Sequence, residues 1–173
     1  MKTIAACAAL MVAIAPTMQV LAQTPAFAGT WALDSSRGRL AASAAIAGLS
    51  GSGAPMTLHI TQPANGTLMV ESQVNESHSR IYVPGRKTST PITVGPPGSL
   101  SMTSKWEGRT LVSEGTRETT SGTSSSVSEV RETFSTSADG STLTLEVTTI
   151  AGGEKSPSTL VYTRTKDVGP CRS

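Results

Sequence analysis

Apolar and polar residues alternate along most of this chain, with Val, Ile, Leu and Thr recurring at every second position. That is the period of a strand whose two faces meet different surroundings. The alternation predicts strands over residues 29–33, 56–62, 67–73, 79–83, 91–94, 100–106, 110–117, 126–136, 142–150 and 158–165. Turn residues punctuate these runs about every eight to twelve positions, which fits an antiparallel sandwich or barrel rather than βαβ units. The predicted fold is all-β, an antiparallel up-and-down barrel of about 8–10 strands with one short Ala-rich helix. That helix covers 39–49 and ends at Ser50-Gly51-Ser52-Gly53, a stop followed by a flexible loop, so helix and loop together span 39–53. Residues 84–98 are rich in Pro and Gly and cannot hold a long central strand. They form either a surface loop around a short edge strand at 92–94 or the lip of a pocket.

Three hairpins can be tested against the two-residue period, because loop length fixes which residues face each other. At Asn65-Gly66, a three-residue loop from Ala64 to Gly66 sets Ile60 against Val70, apolar against apolar, with Gly66 taking the left-handed conformation. At Glu107-Gly108, a two-residue loop aligns Trp106 with Arg109 and Ser104 with Leu111. At Asp139-Gly140, the same arithmetic pairs Phe134 with Leu145 and Thr136 with Leu143. Each hairpin then has one apolar face and one face of Ser, Thr, Glu, Arg and Gln. A transmembrane barrel would need the outer face apolar instead.

Composition narrows the class. Ser and Thr supply 47 of the 151 residues after position 22, and only two Trp, two Tyr and two Phe are available for any aromatic site. A net charge of +2 with scattered basic residues offers no clustered basic face, so nucleic acid is not an expected partner. Met1-Lys2 precedes an almost unbroken apolar run over 3–15, too short to span a bilayer. With Val20-Leu21-Ala22 behind it, the segment 1–22 reads as a signal peptide, with Ala28 a second candidate cleavage site. A single domain of residues 23–173, exported to a periplasmic or extracellular location and without a transmembrane span, would remain. Cys7 would be lost with the leader, leaving Cys171 without an internal disulfide partner.

The run Phe27-Ala28-Gly29-Thr30-Trp31-Ala32-Leu33-Asp34 resembles the opening strand of lipocalin-like (calycin) β-barrels, in particular small secreted bacterial proteins that begin with F-x-G-T-W-x-L-D. Lys105-Trp106-Glu107-Gly108-Arg109-Thr110-Leu111, Ser137-Ala138-Asp139-Gly140-Ser141-Thr142-Leu143 and Val161-Tyr162-Thr163-Arg164 are similar to later phrases of the same group. The Ala/Gly-rich stretch 39–53 departs from the lipocalin pattern, as does the lack of a long helix before the last strand. The resemblance implies that Gly29, Trp31 and Arg164 close one end of the barrel, with the Arg164 guanidinium stacked on the Trp31 indole.

Catalytic chemistry finds little support. His59 falls out of phase with Leu58 and Ile60 and is expected to face solvent; neither it nor His78 has metal-ligand spacing to a Cys, His or carboxylate. Gly48-Leu49-Ser50-Gly51-Ser52 lacks the second glycine of a nucleophile elbow. No metal, no cofactor and no enzymatic activity are expected. Inside the barrel, Met56, Leu58, Ile60, Leu68, Val70, Leu100, Met102, Leu111, Leu145 and Val147 would line an aliphatic interior. Glu132, Arg109 and Tyr162 make the candidate polar interior. Glu132 shares a phase with Val130 and Phe134, so either it points inward and pairs with Arg109 or Arg164, or a bulge near Ser128 turns it outward. The expected role is a monomeric, exported, non-enzymatic lipocalin-like domain that binds or carries a small apolar molecule. The alternative is a protein-interaction module such as a secreted inhibitor of an envelope enzyme, with 84–98 as its contact.

Overall fold

The computed structural model describes residues 26–39, 54–73, 77–92 and 96–166. Where the alternation is strongest the chain forms ten strands: β1 (Gly29–Leu33), β2 (Thr57–Thr61), β3 (Leu68–Gln73), β4 (Ser77–Tyr82), β5 (Lys87–Ile92), β6 (Gly98–Glu107), β7 (Thr110–Ser121), β8 (Ser124–Thr136), β9 (Thr142–Ala151) and β10 (Glu154–Arg164). Their order in the sheet is β4-β3-β2-β1-β10-β9-β8-β7-β6-β5, antiparallel throughout. Every strand therefore lies beside its sequence neighbour except across the seam between β4 and β5, and β1 joins β10, so the sheet curls into a nearly closed up-and-down barrel. Among the described residues there is no helix. The leader 1–22, residues 40–53 and Cys171 lie outside the described residues. Arg39, where a helix was expected to begin, is instead bridged to Thr159 by two backbone hydrogen bonds of 2.8 Å.

Ile60 lies opposite Val70, Phe134 opposite Leu145 and Thr136 opposite Leu143, as the hairpin arithmetic requires. The β6–β7 hairpin differs: Glu107 pairs with Thr110 and Trp106 with Leu111, so the turn is Gly108-Arg109. The reason is conformational. A Glu107-Gly108 turn would need positive φ at Glu107, whereas the observed one puts Gly108, with φ of 60°, at the first central position. The slip is two residues, so the faces keep their identity, but Arg109 moves into the turn.

The 84–98 stretch also departs from expectation. A strand runs over Lys87–Ile92 rather than 92–94, with Thr88, Thr90 and Ile92 opposite Met102, Leu100 and Gly98; residues 93–95 lie outside the described set. Pro91 is tolerated because β5 is an edge strand, where half the backbone groups make no ladder bonds.

Registers across β6–β10 stack the inward residues in rows. One low in the barrel is Trp106, Leu111, Phe134, Leu145 and Leu160. Above it run Ser104, Ser113, Glu132, Val147 and Ser158, then Met102, Gly115, Val130, Thr149 and Ser156, then Leu100, Arg117 and Ser128. The lower half is a packed aromatic and aliphatic plug. Phe27, Trp31, Leu68, Leu111, Phe134, Leu143, Leu145, Leu160 and Tyr162 all have 0% exposure. Phe27 and Trp106 approach to 5.7 Å between ring centroids, and Phe134 takes the edge of Tyr82 at 5.0 Å. Such pairs add about 0.5–1.5 kcal/mol beyond area burial.

Candidate functional site

Arg164 seals the lower end. It lies opposite Trp31 in the β1–β10 ladder, and its guanidinium carbon sits 4.3 Å from the indole centroid. The fork donates to three carbonyls: Nε to Gly140, Nη1 to Ala28 and Nη2 to Ala26, at 2.8, 2.6 and 3.0 Å. The Trp31 indole donates to the Phe27 carbonyl at 2.9 Å. Gly29 makes the stack possible, since its φ is 134° and a β-carbon there would meet Arg164 Nη1 at 2.6 Å. A Trp, an Arg and a Gly on adjacent strands thus tie the chain before β1 to the last strand and to the β8–β9 turn.

One row above the plug, a charged cluster crosses the lumen. Glu132 of β8 points inward with 0% exposure and accepts two hydrogen bonds from Arg80 of β4, at 2.7 and 2.9 Å. Tyr82, two residues along β4, donates its hydroxyl to the same carboxylate at 2.9 Å. The Arg80 guanidinium also lies 4.7 Å from the Tyr82 ring centroid. Burial alone would depress the ionisation of Arg80, but the Glu132 carboxylate more than offsets this and holds its pKa up. Burial pushes the Tyr82 hydroxyl well above its ordinary range, so it remains a donor. Each of the three side chains is held by another of the cluster. The cluster is a strut joining two walls. Beside it, the Ser104 and Ser113 hydroxyls, both fully buried, bond each other at 2.7 Å.

The expected lining residues divide by height. Leu58, Ile60, Leu68, Val70, Leu111 and Leu145 are buried at 0–1% and belong to the packed half. Leu100, Met102 and Val147 lie around and above the strut, with Ile92 and Val130, which sequence reasoning had not singled out. All five are buried, at 1–6%, while Thr149, Gly115, Arg117 and Ser128 in the rows above the strut are half-buried.

Several expectations are corrected. Met56 does not line the interior: β2 begins at Thr57, the residue before it lies at the bend, and Met56 is 64% exposed. Arg109 is exposed in its turn and takes no part in the polar interior. Arg80 is the partner of Glu132 instead, and no bulge turns Glu132 outward, since its ladder with Ser113 and Val147 is regular. Tyr162 is buried, but its hydroxyl is committed to the Pro55 carbonyl at 3.1 Å, and burial raises its pKa. His59 is not solvent-facing; it is 6% exposed and bonds Thr30, its neighbour across the β1–β2 ladder, at 3.2 Å.

Arg80 was missed because alternation over residues 78–83 offers two phases. Ile81 with Val83 looks like the buried one, yet Ile81 is 48% exposed while Arg80 and Tyr82 go inside. The lone inward carboxylate on β8 was the signal that an inward cation must exist elsewhere.

The fold is similar to that of a solved structure described as "REP1-NXSQ fatty acid transporter", with a TM-score of 0.54 and 14% identity, covering 80% of this chain and 96% of that one. No protein-family model matches the sequence, and no curated protein matches it.

Proposed function

We propose that this chain is an exported, non-enzymatic, lipocalin-like carrier that holds a small apolar molecule in the upper half of its barrel. The observation that carries the reading is the division of the lumen at the Arg80–Glu132 strut. Below it, apolar and aromatic side chains fill the barrel; above it, Ile92, Leu100, Met102, Val130 and Val147 make an aliphatic wall interrupted by the half-buried Gly115, Arg117, Ser128 and Thr149. Barrels of this size hold either side chains or one small ligand, and this one is divided between the two. The likeness to a fatty acid transporter supports an apolar guest by analogy of fold. With every aromatic side chain in the plug or the strut, the guest is flexible and aliphatic rather than a stacked ring. The leader 1–22 places the protein in the periplasm or outside the cell, and it works as a monomer without a cofactor. Native mass spectrometry of the protein purified from its own host tests this. A retained small-molecule mass at one copy per chain is expected, and an empty chain that also fails to take up added long-chain amphiphiles overturns it.

The seam favours a second reading, a protein-interaction module. An open groove of about 410 Å³ between β4 and β5 is lined by Ser79, Ile81, Val83 and residues 88–91. A co-purifying protein displaced by Ile81→Asp would favour that reading over carriage.

A further inference from the structure

We infer that Arg117 receives the anionic head of a single-chain amphiphile that lies tail-down in the barrel, its tail ending at the Arg80–Glu132 strut. This rests on the carrier reading and deepens it by naming the ligand class and its direction. Three inward positions on β4, β7 and β8 carry full charges: Arg80, Glu132 and Arg117. Arg80 and Glu132 neutralise each other through two hydrogen bonds, leaving Arg117 as the uncompensated charge.

Arg117 stands two rows above the strut, between Leu100 and Ser128, four residues along β7 from the Ser113 that faces Glu132. At about 3.4 Å per residue that is roughly 14 Å above the strut. The side chain is half-buried, its Nε is buried without a hydrogen-bond partner, and no ion pair among the described residues reaches it. An N–H cut off from water without an acceptor is unfavourable, and a carboxylate or sulfate bound at this half-buried guanidinium supplies both the acceptor and a counter-charge. Between head and strut, Met102, Val130 and Val147 offer apolar contact, while Gly115 contributes no side chain.

The opposite orientation is disfavoured by the same charges. A head group driven down to the strut would meet the Glu132 carboxylate, and Arg80 already spends two donors on it. A neutral amphiphile, such as a long-chain alcohol, would fill the apolar space and leave Arg117 unanswered.

The test compares dodecanoate, dodecyl sulfate and dodecanol, whose tails match the rise from the strut to Arg117, on the intact chain, each displacing a neutral phenylnaphthylamine probe. Both anions are expected to bind about tenfold more tightly than the alcohol, the fold-change one net charge-assisted bond gives. Arg117→Gln should bring the anions to the level of the alcohol while leaving alcohol and probe affinities unchanged, which also shows that the variant is folded. Arg117→Lys should keep part of the preference. An anion preference that survives Arg117→Gln overturns the assignment while leaving the carrier reading standing. Failure of the wild-type chain to bind probe or any amphiphile overturns both.

Discussion

Arg80 and Glu132 reach across the lumen from β4 and β8 and meet in a paired, two-bond contact at 2.7 and 2.9 Å, with 3% and 0% exposure. Removing one partner leaves the other charged and buried, so Glu132→Gln should cost about 3–5 kcal/mol in urea unfolding. Replacing both, as Arg80→Met with Glu132→Leu, should recover most of that loss, because apolar groups of similar volume can stand in for a buried pair. A Glu132→Gln variant as stable as wild type would contradict the strut.

At the lower end, Trp31→Ala should cost about 3–5 kcal/mol, the usual penalty for emptying a large aromatic site. Arg164→Ala loses an exposed cation–π contact and three carbonyl contacts, and a loss of about 2 kcal/mol is expected from those terms. Gly29→Ala should be damaging despite its small size, since the added carbon meets Arg164 Nη1 at 2.6 Å and the backbone stays at positive φ. Thermal melts of the three variants check the order.

The β8–β9 turn gives a pH dependence. Hydrogen bonds from the Ser137 hydroxyl, then from the Ser141 amide and hydroxyl, hold Asp139 down to about 2. A carboxylate whose folded pKa is depressed contributes stability above its unfolded value near 4, and that contribution fades as pH falls toward 2. Asp139→Asn should therefore lower the melting temperature at pH 6 and have a smaller effect at pH 2.5. An equal effect at both would contradict the turn's role.

Met56 and Ile60 separate sequence phase from structural place. Both share the inward parity of β2, yet one is 64% exposed and the other 1%. Met56→Ser should change stability by less than about 0.5 kcal/mol, while Ile60→Ala should cost about 2–5 kcal/mol, both measured by urea unfolding.

Most of the strand pattern was legible because one face of nearly every strand is apolar, and the register of Ile60 with Val70 and of Phe134 with Leu145 followed from turn length. The Trp31–Arg164 stack was legible only through the resemblance to lipocalin-like barrels, since strand phase places each residue inward but does not bring β1 beside β10. The strut was legible only by half. Glu132 shows its inward phase, but its partner lies on the one strand where hydrophobicity points the wrong way, and long-range pairing is not encoded in local alternation. Arg109 was misplaced because the turn centred on Gly108-Arg109 instead of Glu107-Gly108. Arg117 escaped notice because a charged residue near the end of a long polar strand looks like an exposed one.

A carrier of this design holds its guest in the lumen above the strut. Val130 faces that space with 6% exposure, midway between the Glu132 and Ser128 rows. Titration of the neutral phenylnaphthylamine probe into wild type, Val130→Trp and the outer-face control Ile81→Ser measures it directly. Saturable one-to-one binding by wild type and Ile81→Ser, abolished in a folded Val130→Trp, is the predicted result. Absence of binding to wild type, or undiminished binding to Val130→Trp, would contradict it.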